Sequence, residues 1–382
     1  MLPLLHKNST FGFKTREMRI LLLGEFSNLH WTLACGLRAL GHEVVVASSG
    51  DQFKSYQRDI ALTRSSGSVL GTIKYLGDVF FHFSSFKGFD VVQIINPCFL
   101  DLKAGRIRLA FEYLKRHNGK VFLGAFGDDY FWLKACLDKQ VFRYSEFDIP
   151  ERDTMLRNAQ KLKDEWISTE KEDLNKYIAD KSDGIIACLY EYFVAYQPFF
   201  EEKLAYIPAP IHTDEILFVQ RGVHLPGINF FIGIQKSRSE WKGTDVMLRA
   251  LLRVQAKYPE QCFVKKAESV PYAEYVTLMD GSDIILDQLY SYTPAMNALT
   301  AMAQGLVVVG GGEPENYEII GETELRPIIN VLPSEEEVYR QLEKIILEKE
   351  KIPELSQQSR LYVERHHHYL KVAQQYIDFW TK

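Results

Sequence analysis

Residues 284–320, IILDQLYSYTPAMNALTAMAQGLVVVGGGEPENYEII, set polar loops at the ends of apolar runs in an order that suits anion binding. Ile284 to Leu286 is an apolar run, Pro294 opens a helix, Gly305 closes it, and Leu306 to Val309 is a second apolar run. Proline fits a helix start because its missing N–H would be unpaired there anyway, and glycine fits a helix end because it tolerates positive φ. The reading is strand, loop, helix, strand. With the strands parallel, loops 288–293 and 310–314 both lie at carboxyl ends, where open α/β sheets bind ligands. The free N–H groups near 295–297 then favour an anion such as a phosphate. An ordinary βαβ unit with a glycine-rich turn has the same grammar.

The whole chain bounds the options. Its 382 residues, 46% hydrophobic, exceed what one core usually organises, so two domains are expected. A net charge of -5 gives no general attraction to nucleic acid, which is not an expected partner. Cys35, Cys98, Cys136, Cys188 and Cys262 are far apart and lack paired spacing for zinc or a redox dithiol. They read as reduced core residues of a cytoplasmic protein. No apolar run approaches the roughly 18 residues that span a bilayer. MLPLLHKNSTFGFKTRE has too short an apolar centre for a signal peptide. Residues 1–17 read as a disordered extension, with Met18 a candidate natural start.

From Met18, strands and helices alternate. MRILLLG is a buried strand, Leu29, Leu33, Leu37 and Leu40 recur at helical spacing, and EVVVASS is a second strand. Further strands fit 90–97, 120–126, 183–189 and 204–210. A second series follows at 228–234, 262–266, 282–287 and 326–332, with a helix over 244–258. Near-continuous apolar strands imply parallel sheets covered on both faces. Two doubly wound α/β domains joined near 209–216 account for this. The charged segment 148–182 reads as solvated helix, with an excursion over the cleft as the alternative.

Met18 to Val46, IPAPIHTDEI, FFIGIQKSRSEWKGTDVMLRAL, AMAQGLVVV and GGEPENYEII, in this order, resemble the retaining GT-B glycosyltransferases of the large bacterial group 1 family that includes mannosyltransferases and sucrose-phosphate synthase. The resemblance covers nearly all of the chain from Met18. It implies two Rossmann-like domains facing across a cleft: an acceptor domain over 18–210 and a nucleotide-sugar donor domain over 211–362. It also implies a last helix over 363–382, RHHHYLKVAQQYIDFW, returning to the first domain. The function implied is transfer of a sugar from a UDP- or GDP-sugar to a glycan or lipid-linked acceptor in surface polysaccharide synthesis, with retention. The alternative is a noncatalytic GT-B-like subunit that binds a nucleotide or glycan. A nicotinamide dehydrogenase fits less well because LLLGEFSN lacks G-x-G-x-x-G.

The resemblance also assigns residues. Lys242, in WKGTD, matches the family's lysine before glycine, which would serve the diphosphate, and Arg238 matches its arginine. The interval from Gly233 to Lys242 exceeds the common family spacing, so Lys236 competes with Arg238. The family's Glu-x7-Glu acids fall on Tyr292 and Thr300, neutral substitutes beside the donor sugar and the ribose. Thr293, Met296 and Asn297 flank them at the helix start, and Asp287 and Asn297 are nearby polar substitutes. Glu315 matches the glutamate of the GG-x-PE turn, and Gly24 matches the family's glycine loop. In GAFGDDYFW, Phe126 stands where a histidine is usual and Asp129 where an aspartate is. Asp128 and Asp129 are the candidate catalytic acids, able to orient an acceptor hydroxyl or take its proton. The alternative is a helix cap.

No Asp-x-Asp motif stands where a metal-dependent transferase needs one, so neither a metal nor a cofactor beyond the sugar nucleotide is expected. Consecutive His366, His367 and His368 cannot face one ion from a helix, and read as surface or interdomain residues. Residues 102–120 carry Lys103, Arg106, Arg108, Lys115, Arg116 and Lys120 around an apolar stripe. Such a face suits peripheral contact with anionic lipid at the inner side of a membrane, or plain solvent exposure.

Overall fold

A computed structural model of the chain describes residues 16–51, 54–64, 68–150, 152, 154–222 and 226–382. Residues 1–15 of the expected extension lie outside the described residues. The first half runs β1 (Arg19–Leu23), α1 (Leu29–Ala39), β2 (Glu43–Ser48), β3 (Ile60–Ala61), α2 (Val69–Phe83), β4 (Val91–Ile94) and α3 (Ala104–His117). It continues with β5 (Lys120–Ala125), α4 (Tyr130–Asp138), α5 (Arg157–Trp166), α6 (Glu170–Lys181), β6 (Gly184–Ala187), α7 (Tyr190–Phe200) and β7 (Leu204–Tyr206). The second half runs β8 (Ile228–Ile234), α8 (Ser239–Lys242), α9 (Thr244–Lys257), β9 (Cys262–Glu268), α10 (Tyr272–Met279), β10 (Ile284–Leu286), α11 (Met296–Ala303) and β11 (Val307–Gly310). It ends with α12 (Pro314–Ile319), β12 (Ile329–Asn330), α13 (Glu335–Leu347), α14 (Ile352–His366) and α15 (Tyr369–Trp380).

The strands form two parallel sheets, ordered β3-β2-β1-β4-β5-β6-β7 and β12-β11-β10-β8-β9. Strands β4, β6, β10 and β11 are buried at every position, as sheets covered on both faces require. The first order reverses between β1 and β4, the second between β8 and β10. Connections leave in opposite directions at such points and open a crevice at the carboxyl ends. Most strands are shorter than the apolar runs that announce them; β8 has the expected bounds, and β9 runs two residues further, to Glu268. The short strand β3 and helix α2 carried no sequence expectation.

The chain passes between the sheets at 207–213 and again at 366–369, and the two passages are bonded together. The Ile211 N–H donates to the His367 carbonyl at 2.7 Å, and the Tyr369 N–H to the Ile211 carbonyl at 3.1 Å. Arg360 donates to the carbonyls of Thr213, Ile216 and Ala303 at 2.9–3.0 Å. The three histidines belong here: His366 meets Glu322, buried His367 meets the Ala209 carbonyl, and His368 meets Asp214. In the charged segment, α5 reaches the second sheet's loops through Asn158, which donates to the Ser237 carbonyl at 3.2 Å.

Helix α15 crosses back onto α1 at Gly36, where an added Cβ would stand 2.6 Å from the Tyr369 carbonyl and 2.8 Å from the Ala373 Cβ. Gly36→Ala gains about 1 kcal/mol of helix propensity and loses roughly 1–3 kcal/mol to overpacking, so a net loss of stability is expected. Gly105, in α3 with nothing within 4 Å of its Cβ position, is the control. Gly105→Ala should stabilise by about 0.5–1 kcal/mol. Denaturant unfolding of both variants checks the pair, and equal shifts would remove Gly36 from the crossing.

Candidate functional site

A cavity of about 870 Å³ lies between the sheets, over the carboxyl ends of β8 and β10. Its second-sheet wall is built from Gly233, Lys242, Asp287, Tyr275, Met296, Asn297 and Thr300. Asn297 ties this wall together, donating to Asp287 Oδ1 at 2.8 Å and accepting from the Tyr275 hydroxyl at 3.1 Å. Lys242 ends α8, and Gly243 follows with φ 70°, a left-handed turn packed so closely on Leu289 that a Cβ would stand 2.5 Å away. That turn points the chain so that half-buried Lys242 faces the cavity. Burial pushes its ammonium below the usual lysine range, and the Asp287 charge opposes this. Helix α11 begins beside it with no side-chain cap, so its first N–H groups open toward the same space.

The first sheet supplies Ser27, Asn28, Lys54 and Tyr56, and the passage at 207–213 supplies Ile211 and His212. Ser27 and Asn28 hold left-handed conformations, φ 53° and 69°, and the Ser27 N–H donates to Asp51 Oδ2 at 3.0 Å. Glu25 is buried and accepts the N–H groups of His30 and Trp31 at 3.2 and 2.9 Å; burial pushes its carboxyl up to about 8. Lys54 pairs with Asp51 at 2.6 Å.

Away from the cavity the sheets are clamped. Segment 142–147 of the first half reaches across to loops 288–293 and 311–315. The Tyr292 hydroxyl accepts the N–H groups of Arg143 and Tyr144 at 2.6 and 3.2 Å, and its ring stacks on Tyr144 and Tyr190. The Tyr144 hydroxyl donates to buried Glu313 at 2.7 Å. The Arg143 guanidinium bonds Glu313 at 2.8 Å, pairs with Glu315 and lies over the Tyr292 ring. From the other flank Glu191 accepts the N–H groups of Tyr292 and Thr293 at 2.6 and 3.2 Å, together with the Thr293 hydroxyl. Burial raises the Glu191 carboxyl, and these donors oppose the rise.

No protein-family model matches the chain, and no curated protein matches it. Solved structures do. Sucrose-phosphate synthase from Thermosynechococcus elongatus aligns over 96% of this chain and 98% of its own, with TM-score 0.59 and 11% identity. The catalytic domain of starch synthase IV from Arabidopsis thaliana, bound to ADP and acarbose, aligns over 96% and 99%, with TM-score 0.60 and 10% identity. Anabaena Alr3699/HepE in complex with UDP-glucose aligns over 96% and 100%, with TM-score 0.57 and 14% identity. The fold is GT-B.

In this GT-B cleft Lys242, Met296, Asn297 and Thr300 meet at the cavity, with Asp287 beside them. Thr300 donates its hydroxyl proton to the Met296 carbonyl at 2.7 Å, which leaves its oxygen free to accept. Exposed Arg238 stands off the cavity wall, where its charge acts on both Lys242 and Asp128; its competitor Lys236 pairs with Glu268 at 3.4 Å. Five of the expected residues stand elsewhere in the structure. Tyr292, Thr293 and Glu315 are the clamp and do not line the cavity. Gly24, at φ 84°, faces Ile95, whose Cγ2 would lie 2.2 Å from a Cβ, so packing rather than a ligand demands glycine there. Asp129 is fully buried and caps α4, with Trp132 N–H on one oxygen at 3.0 Å and the Tyr196 hydroxyl on the other at 2.6 Å. Its carboxyl is pushed up to about 7 by burial, yet both oxygens are occupied away from the cleft.

Half-buried Asp128 is the member of that pair with its carboxylate unbonded by α4, and burial raises it while Arg238 opposes the rise. A carboxyl the sequence did not flag, Glu146, is pushed up to about 8 by burial, with the Asp128 charge adding and Arg238 opposing; it lines a second, smaller cavity with Lys139, Phe147 and Asp148. Glu146 lies in the aperiodic stretch RYSEFDIP, where no pattern marks it. Lys54, Tyr56, Tyr275 and His212 join the larger cavity without a local signal.

Tyr292→Phe keeps the stacked ring and leaves two backbone N–H groups without their acceptor, at an expected cost of about 1–3 kcal/mol. Unfolding measurements should register that loss while nucleoside diphosphate affinity stays unchanged. A weakened affinity with unchanged stability would return Tyr292 to the ligand.

Proposed function

We propose that the chain is a glycosyltransferase that moves a sugar from a UDP- or GDP-sugar to a glycan or lipid-linked acceptor in bacterial surface polysaccharide synthesis, with retention and without a metal ion. One observation carries the reading: half-buried Lys242 and the uncapped start of α11 converge on a single cleft cavity. A leaving diphosphate gathers negative charge as its bond to the sugar breaks, and a desolvated ammonium with aligned N–H donors stabilises it most at that moment. The likeness to GT-B structures in complex with UDP-glucose and with ADP supports the same choice of ligand.

On this reading Arg238 bridges the two chemistries, assisting the diphosphate and tuning the acids opposite. Asp128, half-buried and within reach of the Arg238 charge, forms the acceptor side. A carboxyl raised by burial can take the acceptor's proton, and Asp128 is such a carboxyl. Thr300 holds a ribose hydroxyl through its free oxygen, a weaker neutral bond than a carboxylate's by about 1 kcal/mol.

The noncatalytic reading is favoured by one feature. Tyr292 stands where the resemblance puts an acid beside the donor sugar, and it is locked into the clamp. Release of nucleoside diphosphate from a sugar nucleotide, dependent on added acceptor, separates a transferase from a binding subunit.

Lys242→Ala should weaken nucleoside diphosphate binding by roughly tenfold or more, the worth of a charge-assisted contact, and leave nucleoside binding nearly unchanged. Calorimetric titration with UDP, GDP, uridine and guanosine makes the comparison. Equal losses for diphosphate and nucleoside would make Lys242 a structural lysine.

A further inference from the structure

Helix α2 is apolar on both sides. Gly71, Tyr75, Val79 and Phe83 pack inward, while Val69, Leu70, Ile73, Phe80 and Phe81 stand 60–82% exposed. At 100° per residue the exposed five fall on one stripe, interrupted only by Gly77, Lys74 and Ser84, which are exposed as well. A contiguous exposed apolar face of this kind marks an interaction surface.

The charge around the stripe selects its partner. Residues 64–120 hold nine Lys and Arg against four Asp and Glu in a chain whose net charge is -5. Helix α3 lies alongside, through Phe83 on Tyr113, and adds exposed Leu109, Lys103, Arg106 and Arg116. Of the six cations expected to make a basic face there, three are occupied within the protein. Arg108 pairs with Glu112 and covers Tyr177, Lys115 pairs with Asp183 at 2.7 Å, and Lys120 bonds the Trp380 carbonyl. Among the described residues Lys74, Lys87, Lys103, Arg106 and Arg116 have no carboxylate partner. Asp78, the only carboxylate of α2, is half-buried at the border of the packed face.

We infer that α2, with the free cations of α2 and α3 around it, is a docking surface for an anionic bilayer, its phenylalanines entering the acyl boundary and its lysines and arginines meeting headgroup phosphates. Apolar side chains surrounded by unpaired cations are the pattern of a helix lying in such an interface. A two-fold pairing of this surface with a second copy would set the same cations against each other. No helix among the described residues is long and apolar enough to cross a membrane, so the contact is peripheral.

The test is sedimentation of the full chain with phosphatidylcholine vesicles, with and without phosphatidylglycerol, in the absence of nucleotide. Wild type should pellet with the anionic vesicles at low salt and be released by high salt. Phe80→Ser with Phe81→Ser should reduce binding roughly tenfold or more, with thermal unfolding unchanged because both rings are exposed. Lys103→Ser with Arg106→Ser should reduce it and flatten the salt dependence, whereas Arg108→Ser should not. Wild type remaining in the supernatant at low salt overturns the inference. So does a dimer in light scattering, without vesicles, that the double phenylalanine variant dissociates. Because no nucleotide is present, either failure leaves the proposed donor site untouched.

Discussion

Two parallel sheets that face each other with their carboxyl ends must satisfy, across the gap, the polar loops in which those strands terminate. The clamp does this. Glu191 from one half collects three donors from residues 292 and 293 of the other, and Tyr292 returns an acceptor to the backbone of 143 and 144. Removing a single partner would strand buried polar groups on both sides, which is why such networks fix a unique arrangement. Arg143 adds less than its three contacts imply, because its guanidinium is half exposed and screened by water. The fixed arrangement then sets the cavity, since its walls come from both halves and meet only when the halves hold one orientation.

The clamp gives the absent acids a physical explanation. A carboxylate at residue 292 could not replace the Tyr292 hydroxyl, whose ring is stacked between Tyr144 and Tyr190 and nearly free of solvent. Thr300 differs: it lies on the cavity wall and keeps an acceptor oxygen toward it. The two neutral positions that the sequence presents as a pair have separate causes. One belongs to the union of the domains, the other to the pocket.

Much of the fold is legible in the residues because burial on both faces writes apolar strands as continuous runs, and proline and glycine mark the ends of helices such as α11. Local chemistry is also visible at Lys242, where the following glycine has to be left-handed. What the sequence conceals is set by distant contacts. Asp128 and Asp129 look alike in GDDYFW, and the buried cap is marked out by the Trp132 N–H and by Tyr196, far along the chain. Glu146 gains its character first from burial, which elements distant in the chain impose. Helix α2 carries large apolar side chains on its exposed side as well as its packed one, and that is what makes its surface unusual.

The central claim is that Lys242 and the start of α11 form one phosphate site in the cleft. Backbone hydrogen exchange, followed with and without UDP and GDP, reads that site amide by amide. Slower exchange at 295–298 and across 233–243, with the β1–α1 loop at 27–28 responding from the opposite wall, is the expected result. Protection by a bound diphosphate confined to other segments, with 295–298 unchanged, would contradict the claim.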